Sequence, residues 1–117
     1  MADQTIVIAS DFTRYPGPRY RKDGPFSGEQ FRDELLVPAL RRVERGGGNV
    51  IVELDGVAGY GSSFLEEAFG GLLRCGFSPQ FLRQHLRIDA NTPRFQHHRI
   101  RANSYIQEEA DRRLQAV

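Results

Sequence analysis

The chain of 117 residues contains no tryptophan, one methionine, one lysine (Lys22) and one cysteine (Cys75). A lone cysteine cannot form an internal disulfide, which excludes a small disulfide-stapled scaffold. No apolar run approaches the roughly 18 residues that span a bilayer, so the sequence also excludes a membrane-spanning protein. The first residues lack the basic segment and the long apolar core of a signal peptide, and we therefore expect a cytoplasmic protein.

The overall composition is that of an ordinary globular domain, since 39% of the residues are hydrophobic and 26% are charged. A chain of this length can bury about two-thirds of its unfolded surface in one core. We therefore predict a single domain over residues 1–117.

The basic residues are concentrated in places, although the formal net charge is only +1. One cluster without an acidic residue comprises Arg14, Arg19, Arg21 and Lys22. Such a cluster can bind phosphate groups, but a solvated arginine-rich face has the same composition. Both interpretations stay open at this point.

Three short β-branched segments alternate with helical patterns and predict an α/β fold. TIVIAS (5–10), NVIVELD (49–55) and LRIDA (86–90) have the length and composition of strands. Between the first two, residues 11–26 are rich in proline and glycine and predict a long loop. We interpret this loop either as a lid over a glycine-rich turn or as a solvated connection.

Capping patterns predict where the first helix begins. Ser27 followed by Gln30 predicts a helix from Gly28 to Arg45, and the glycines 46–48 end it. Pro38 lacks a backbone donor, so we expect a kink or a short break nearby.

The later helices have similar signals. Ser78 and Pro79 predict a short helix to about His85. The terminal helix has a clear apolar spacing from about Asn103, whereas a start at Pro93 is left open.

A glycine-rich turn, GVAGYG (56–61), separates the second strand from a helix that begins at Ser62 or Ser63. A strand, a glycine turn and a helix N-terminus together expose backbone N–H groups that bind or carry phosphate. The spacing imitates a P-loop without its lysine and is not G-x-S-x-G, so neither nucleotide binding nor a nucleophilic serine is favoured. Ser63 with Glu66 forms a capping-box pattern, which predicts that the serines cap the helix.

Two further features of the sequence bear on the helices. Gly70 and Gly71, inside the central helix, predict close packing of its backbone on the sheet. His97 and His98 are adjacent and should point in different directions, which makes a poor metal pair. We expect neither a metal nor a cofactor.

The stretches VELDGVAGYGSSFLEEAFGGLLR (52–74) and SDFTRYPGPRYRKDGPFSGEQFRDELLVPAL (10–40) resemble the STAS-like domains of unknown function. The fold of this family is related to that of the bacterial anti-sigma-factor antagonists. The resemblance implies a small STAS-like sandwich, with a short mixed β-sheet of about three to four strands packed with three to four helices. Residues 75–77 leave no room for a further strand of the parent fold, which predicts a truncated sheet.

In the antagonists, a strand ends in an acidic residue, and the first of two following serines is phosphorylated by an ATPase-type kinase. The resemblance aligns Ser62 with the phosphorylated serine and Ser63 with the second one. Gly61 departs from the pattern because it occupies the acidic position, and Asp55 is the nearest acid that precedes it. A phosphoserine there would gain helix-dipole stabilisation but would add about two negative charges to a docking face, which favours release of the partner.

The resemblance thus implies a non-enzymatic regulatory module of bacterial signalling that docks on a histidine-kinase-like ATPase or a related regulator. The docking surface that it implies consists of Gly59, Tyr60, Gly61, Ser62, Ser63, Glu66 and Glu67.

Three other interpretations stay open. The first is a phosphate- or nucleic-acid-binding module that uses the basic loop 14–22. The second is an enzyme that uses Asp11, Asp23 or Ser62, although no acid–base pair has diagnostic spacing. The third concerns assembly, since an unprotected edge of a short sheet would permit a homodimer.

Overall fold

Three parallel strands form the sheet of the protein, and the computed structural model describes residues 3–115. The strands lie in the order β1-β2-β3, with Thr5 opposite Ile51 and Ile51 opposite Arg87. Their bounds are Gln4–Val7 (β1), Val50–Glu53 (β2) and Leu86–Asp89 (β3).

The α/β fold is confirmed, and so is the truncated sheet, because the sheet in residues 3–115 has only three strands. The expectation of a mixed sheet is wrong in its detail. The first and the second strand are each followed by a helical crossover that brings the chain back in the same direction, so both pairings are parallel.

Four helices pack with this sheet in the described part of the chain. Two of them contain a π-helical turn in the middle and are named here as single helices. Their bounds are Gly28–Phe31, Arg32–Leu36 and Val37–Gly46 (α1), Ser62–Leu65, Glu66–Gly70 and Gly71–Arg74 (α2), Pro79–His85 (α3) and Pro93–Gln115 (α4). None of these helices is long and apolar enough to cross a membrane.

The predicted caps of α1 and α3 are confirmed. The Ser27 hydroxyl accepts the amide of Gln30 at 2.9 Å, and the Ser78 hydroxyl accepts the amide of Phe81 at 3.0 Å. The Gln30 side chain accepts from Phe26 rather than from Ser27, so the reciprocal half of the capping box is shifted by one residue. The fourth helix begins at Pro93, the earlier of the two starts that were left open.

Two expectations for backbone shape are wrong. The first strand ends at Val7 because Ile8–Phe12 forms a π-helical turn, in which the Asp11 carboxylate accepts the amide of Val7 at 2.8 Å. The first helix does not break near Pro38 but continues to Gly46, and a π-helical turn, Arg32–Leu36, lies directly before Val37.

The core lies between one face of the sheet and the helices. Ile6, Val52 and Ile88 share this face and are buried. The opposite face is only partly covered, since Thr5 and Arg87 are exposed there. Under the helices, aromatic rings fill the core, and the centroids of Phe31 and Phe64 are 6.2 Å apart.

The first and second helices approach each other closely at Gly28. A Cβ atom added at Gly28 would lie 2.5 Å from the carbonyl oxygen of Phe64. Glycine is therefore required here by the contact between the two helix backbones.

We expect Gly28→Ala to lower the free energy of unfolding by about 1–3 kcal/mol, because the methyl group meets a backbone oxygen that cannot move away. Gly46→Ala is the matched control, since a Cβ there meets nothing within 4 Å and an ordinary helical conformation is kept. The control should gain about 0.5–1 kcal/mol. Urea unfolding of both variants checks this, and equal stabilities would contradict the close approach.

Candidate functional site

The glycine-rich turn 56–61 is fastened to the start of α4 by Asp55. The carboxylate of Asp55 accepts the amides of Asn91 and Thr92, both at 2.8 Å. Burial acts to raise the pKa of Asp55, but these amide hydrogen bonds outweigh it and hold the pKa below its usual value. Asp55 is therefore an ionised anchor of the turn.

Further contacts hold the turn in place from below and from the side. Gly56 adopts φ +93°, a conformation that favours glycine. The hydroxyl of the buried Tyr60 donates to the carbonyl of Leu54 at 2.8 Å, and its ring packs edge-on against Phe95. The Arg94 guanidinium donates to the carbonyl of Ala58. The turn is thus fixed to both β2 and α4.

The loop 13–26 lies against this turn rather than away from it. The amide of Ala58 donates to the carbonyl of Arg14 at 2.8 Å. At the other end of the loop, the carbonyls of Pro18 and Arg19 accept the amides of Gly28 and Glu29 at 2.9 and 3.0 Å. One hydrogen bond thus joins the loop to the turn, and the other contacts hold the loop on α1.

The second helix begins at Ser62, with Gly61 as its N-cap. The predicted capping box of Ser63 and Glu66 is wrong, because Ser63 is already inside the helix and Glu66 is bound by arginines. Ser62 is exposed, and no residue between 3 and 115 forms a hydrogen bond with its hydroxyl. The Ser62 hydroxyl therefore stands at the N-terminus of α2 without a capping role.

A cluster of charged side chains, buried at its centre and exposed at Arg74 and Arg112, underlies this helix. Arg32 of α1 donates to the Glu67 carboxylate at 2.5 Å and to the Glu67 carbonyl at 3.1 Å, with only 10% and 9% of the two side chains exposed. Arg19 contacts Glu66 and Glu67 from the loop. The central set, named here the charge cluster, is Arg19, Arg32, Glu66, Glu67, Arg74, Glu109 and Arg112. Asp33 and Arg113 lie at its margin, 3.0 Å from Arg32 and 3.9 Å from Glu109.

The charge cluster also explains the glycine pair of α2, which does not pack on the sheet as expected. A Cβ at Gly71 would lie 2.5 Å from Nη1 of Arg32, and one at Gly70 would lie 2.8 Å from a carboxylate oxygen of Glu66. A Cβ at Gly70 would also approach the backbone of α4 at Tyr105, 3.4 Å away. The two glycines leave room for the ion pairs and for α4.

The structure divides the predicted docking residues into two groups. Gly61 and Ser62 are exposed, and Gly59 and Ser63 are half-buried. The others are engaged inside the protein, because Tyr60 belongs to the core and Glu66 and Glu67 belong to the charge cluster.

The four predicted phosphate-binding residues of the loop do not form one open cluster. Arg19 is paired with Glu66 and Glu67, and Arg21 is paired with Glu34 at 3.0 Å. Arg14 and Lys22 are exposed. Half of the basic set is thus neutralised by carboxylates of the protein itself.

The two adjacent histidines do not diverge as expected, since the ring centroids of His97 and His98 are 4.0 Å apart. His98 is half-buried against Tyr60, and burial together with the neighbouring His97 and Arg101 lowers its pKa. Within residues 3–115, no group of three or more His, Cys, Asp or Glu residues could hold a metal ion.

Sequence reasoning missed Arg32 entirely. Its position on a polar-looking stretch of α1 gave no local sign of burial. The sequence signal that could indicate it is the four-residue spacing of Glu67 and Gly71. This spacing places a carboxylate and a position without a side chain on the same side of α2, which leaves room for an arginine.

Residues 27–93 match a protein family described as the STAS-like domain of unknown function (DUF4325). The match begins at the cap of α1 and ends at the first residue of α4, so it includes the glycine-rich turn and all of α2. Comparison with curated proteins found no match. Comparison with solved structures found none either.

We expect Glu67→Gln to lower the free energy of unfolding by about 3 kcal/mol, because Arg32 loses its buried counter-charge and keeps only the more exposed carboxylate of Asp33, 3.0 Å away. Glu34→Gln removes one partner of the exposed Arg21 pair and should cost less than about 1 kcal/mol. Urea unfolding of the two variants checks this, and similar losses would contradict a structural role for the buried pair.

The charge cluster should also make stability fall in acid. Burial acts to raise the pKa of Glu66, but hydrogen bonds from Arg74 and Arg19 outweigh it and lower the pKa below the ordinary 4.5. A lowered pKa in the folded state stabilises the protein fully above the unfolded-state value, and this contribution is lost as the pH falls through the folded-state value.

Chemical unfolding between about pH 6 and about pH 3 checks this expectation. The loss of stability in acid should be smaller in Glu66→Gln than in the wild type, whereas Glu34→Gln should follow the wild-type profile. Parallel profiles for the wild type and Glu66→Gln would contradict it.

Proposed function

The chain belongs to the STAS-like domains of unknown function, and from this premise we propose that it is a non-enzymatic regulatory module that docks on a protein partner through the start of α2. The partner class that we propose is a histidine-kinase-like ATPase or a related regulator of bacterial signalling. Ser62 is the proposed site of phosphorylation. We further propose that the protein works in the cytoplasm.

The observation that carries this proposal is the state of the Ser62 hydroxyl. A serine at a helix start is usually engaged as the N-cap, which ties its oxygen to backbone amides. Here Gly61 is the N-cap, and Ser62 is exposed as the first helical residue. Its oxygen is therefore accessible and can attack the γ-phosphorus of ATP. In this step an O–P bond forms, ADP leaves and the hydroxyl proton passes to a base.

That base has to come from the partner. The acidic residue of the related antagonists is replaced by Gly61, and the nearest acid before it along the chain, Asp55, accepts two backbone amides of the α4 start, while Glu66 after it is bound by Arg19 and Arg74. An ionised anchor with both oxygens bonded is poorly placed to take a proton. The proposal therefore assigns this protein the role of substrate and docking module.

Two glycines at the turn support docking there. A Cβ atom at Gly59 or at Gly61 would meet nothing within 4 Å, and neither residue has a positive φ. Neither steric contact nor a positive φ thus requires glycine at these two positions, although glycine is preferred over alanine at the N-cap position of Gly61. A partner surface that approaches the backbone closely would require it.

A phosphate on Ser62 would act on this surface through charge. The phosphate adds about two negative charges next to backbone amides of the first helical turn, which stabilises it there. The same charges lie on the exposed turn and disfavour a partner that binds the uncharged surface. The modification would therefore release the partner.

We expect Gly61→Ala to lower the free energy of unfolding by less than about 1 kcal/mol, since alanine is a poorer N-cap than glycine, but to weaken partner binding at least about tenfold, because the methyl group keeps the partner surface away. Gly46→Ala, at the far end of α1, is the control for adding a methyl group at an open glycine. Affinity for the purified partner and urea unfolding are measured side by side. Unchanged binding by Gly61→Ala would contradict docking at the turn.

Ser62 itself is tested with the tagged protein and host extract, with and without ATP. The captured ATPase is identified by mass spectrometry, purified and used for affinity measurements and for phosphorylation followed by intact mass. Ser62→Ala should bind but accept no phosphoryl group, and Ser62→Asp should lose binding, while Ser10→Asp, an exposed serine in the turn after β1, should bind normally.

Two outcomes would overturn the proposal. One is an unmodified Ser62 together with binding that Ser62→Asp leaves unchanged. The other is recovery of nucleic acid alone with steep salt dependence, which would favour the basic loop. Because Arg19 and Arg21 are already paired, that loop offers only Arg14 and Lys22 as uncompensated cations, which predicts a shallow salt dependence.

A further inference from the structure

The third strand is an edge of the sheet, and its free backbone groups face an open groove. The sheet order places β3 last, beside β2 only. A groove of about 540 Å³ runs along this edge between β3 and α4. Its lining includes Ile88 and Ala90 of the edge together with Gln96, Arg99 and Asn103 of α4.

The direction of each backbone group on β3 follows from two hydrogen bonds. The Asp89 carbonyl accepts the amide of Leu54, the residue after β2, so Asp89 directs its backbone groups toward β2. Because alternate residues of a strand face the same neighbour, Arg87 does so too. Ala90 directs its carbonyl outward, where it accepts from the Gln96 side chain. Ile88, between Arg87 and Asp89, therefore presents both its N–H and its C=O to the groove.

The outward groups form a short self-complementary set. The Leu86 amide is taken by the Leu82 carbonyl of α3, and the Ala90 carbonyl is taken by Gln96. What remains at the edge is the C=O of Leu86, the N–H and C=O of Ile88, and the N–H of Ala90. An antiparallel copy of β3 centred on Ile88 would satisfy all four groups. The two Ile88 residues would exchange two N–H···O=C bonds, and in each direction the N–H of Ala90 would donate to the C=O of Leu86 in the other copy.

The side chains on the exposed face match the same arrangement. Arg87 and Asp89 lie on the partly covered face of the sheet and pair with each other at 2.8 Å within one chain. In an antiparallel pair centred on Ile88, residue 87 of each chain stands opposite residue 89 of the other. Each arginine then meets a carboxylate of the second copy, and the pairing is charge-complementary in both directions.

An exposed apolar side chain borders the groove as well. Ile100 of α4 is 59% exposed, and its spacing from Gln96 and Asn103 places it on the same side of the helix. A second copy that pairs along β3 would bring the two α4 helices near each other. Ile100 would then lie in the contact instead of in water.

We propose that β3 pairs antiparallel with β3 of a second copy of this chain, which joins the two sheets into one continuous sheet. The occupant is a second copy because hydrogen-bond groups, charges and the apolar flank are all self-complementary about Ile88. This homodimer does not depend on the proposed function of Ser62, and neither test uses the variants of the other.

The test is sedimentation velocity of the full chain over a wide range of concentration. We expect a monomer–dimer equilibrium whose dissociation constant rises at least about tenfold in Arg87→Glu, since two attractive cross-strand pairs become repulsive. The double variant R87E/D89R restores opposite charges and should return to within about threefold of the wild type. Arg45→Glu changes the net charge equally at an exposed position of α1 and should behave as the wild type.

Amide hydrogen exchange by NMR locates the contact. The Ile88 and Ala90 amides should become protected as the wild-type concentration rises, and Arg87→Glu should abolish that change. Since the Arg87 side chain is 72% exposed, the variant should remain folded, which circular dichroism checks. A monomer at all concentrations, or a dimer that is indifferent to Arg87→Glu, would overturn the proposal.

Discussion

The buried guanidinium of Arg32 is the constraint on which the arrangement of the helices depends. A charge with a side chain only 10% exposed has to be compensated, and Glu67 of α2 does so with both its carboxylate and its carbonyl. This fixes α2 on α1. The neighbouring Glu66 is paired with Arg19, which fixes the loop to α2, and with Arg74. Arg74 in turn is paired with Glu109, which fixes the fourth helix to the same cluster. Such a cluster gives specificity of packing rather than much net stability, since desolvation offsets the attraction.

The charge cluster also fixes the geometry of the candidate site. Glu66 and Glu67 lie one turn after Ser62, so whatever fixes them also fixes the first turn of α2 and the direction of the Ser62 hydroxyl. The turn before it is held separately by Asp55 and Tyr60. A surface that is already ordered loses little conformational freedom on binding, which favours docking by a preformed patch. The same contacts remove Glu66, Glu67 and Tyr60 from that patch.

What the sequence predicted correctly depended on neighbours along the chain. The caps at Ser27 and Ser78, the ends of α1 and the position of β3 follow from residues within one turn of each other. The false expectations about the charge cluster concerned partners far away in sequence. The spacing of Glu66 fits a capping box with Ser63, but in the fold Glu66 is paired with Arg19 and Arg74. The residues around Arg32 likewise do not indicate that it is buried against Glu67, 35 residues later. Local patterns therefore located the site, whereas its electrostatics required the fold.

The partly covered face of the sheet bears on assembly. Parallel sheets are usually covered on both faces, and here Thr5 and Arg87 remain exposed on one of them. The single-sided core is filled instead by aromatic rings such as Phe31 and Phe64 under the helices. In the described residues the sheet has three strands, one open face and an open edge at β3, so few strands contribute to its packing. Doubling the sheet through β3 would widen it without covering the glycine-rich turn, because pairing uses the edge groups of Ile88 and leaves Ser62 uninvolved.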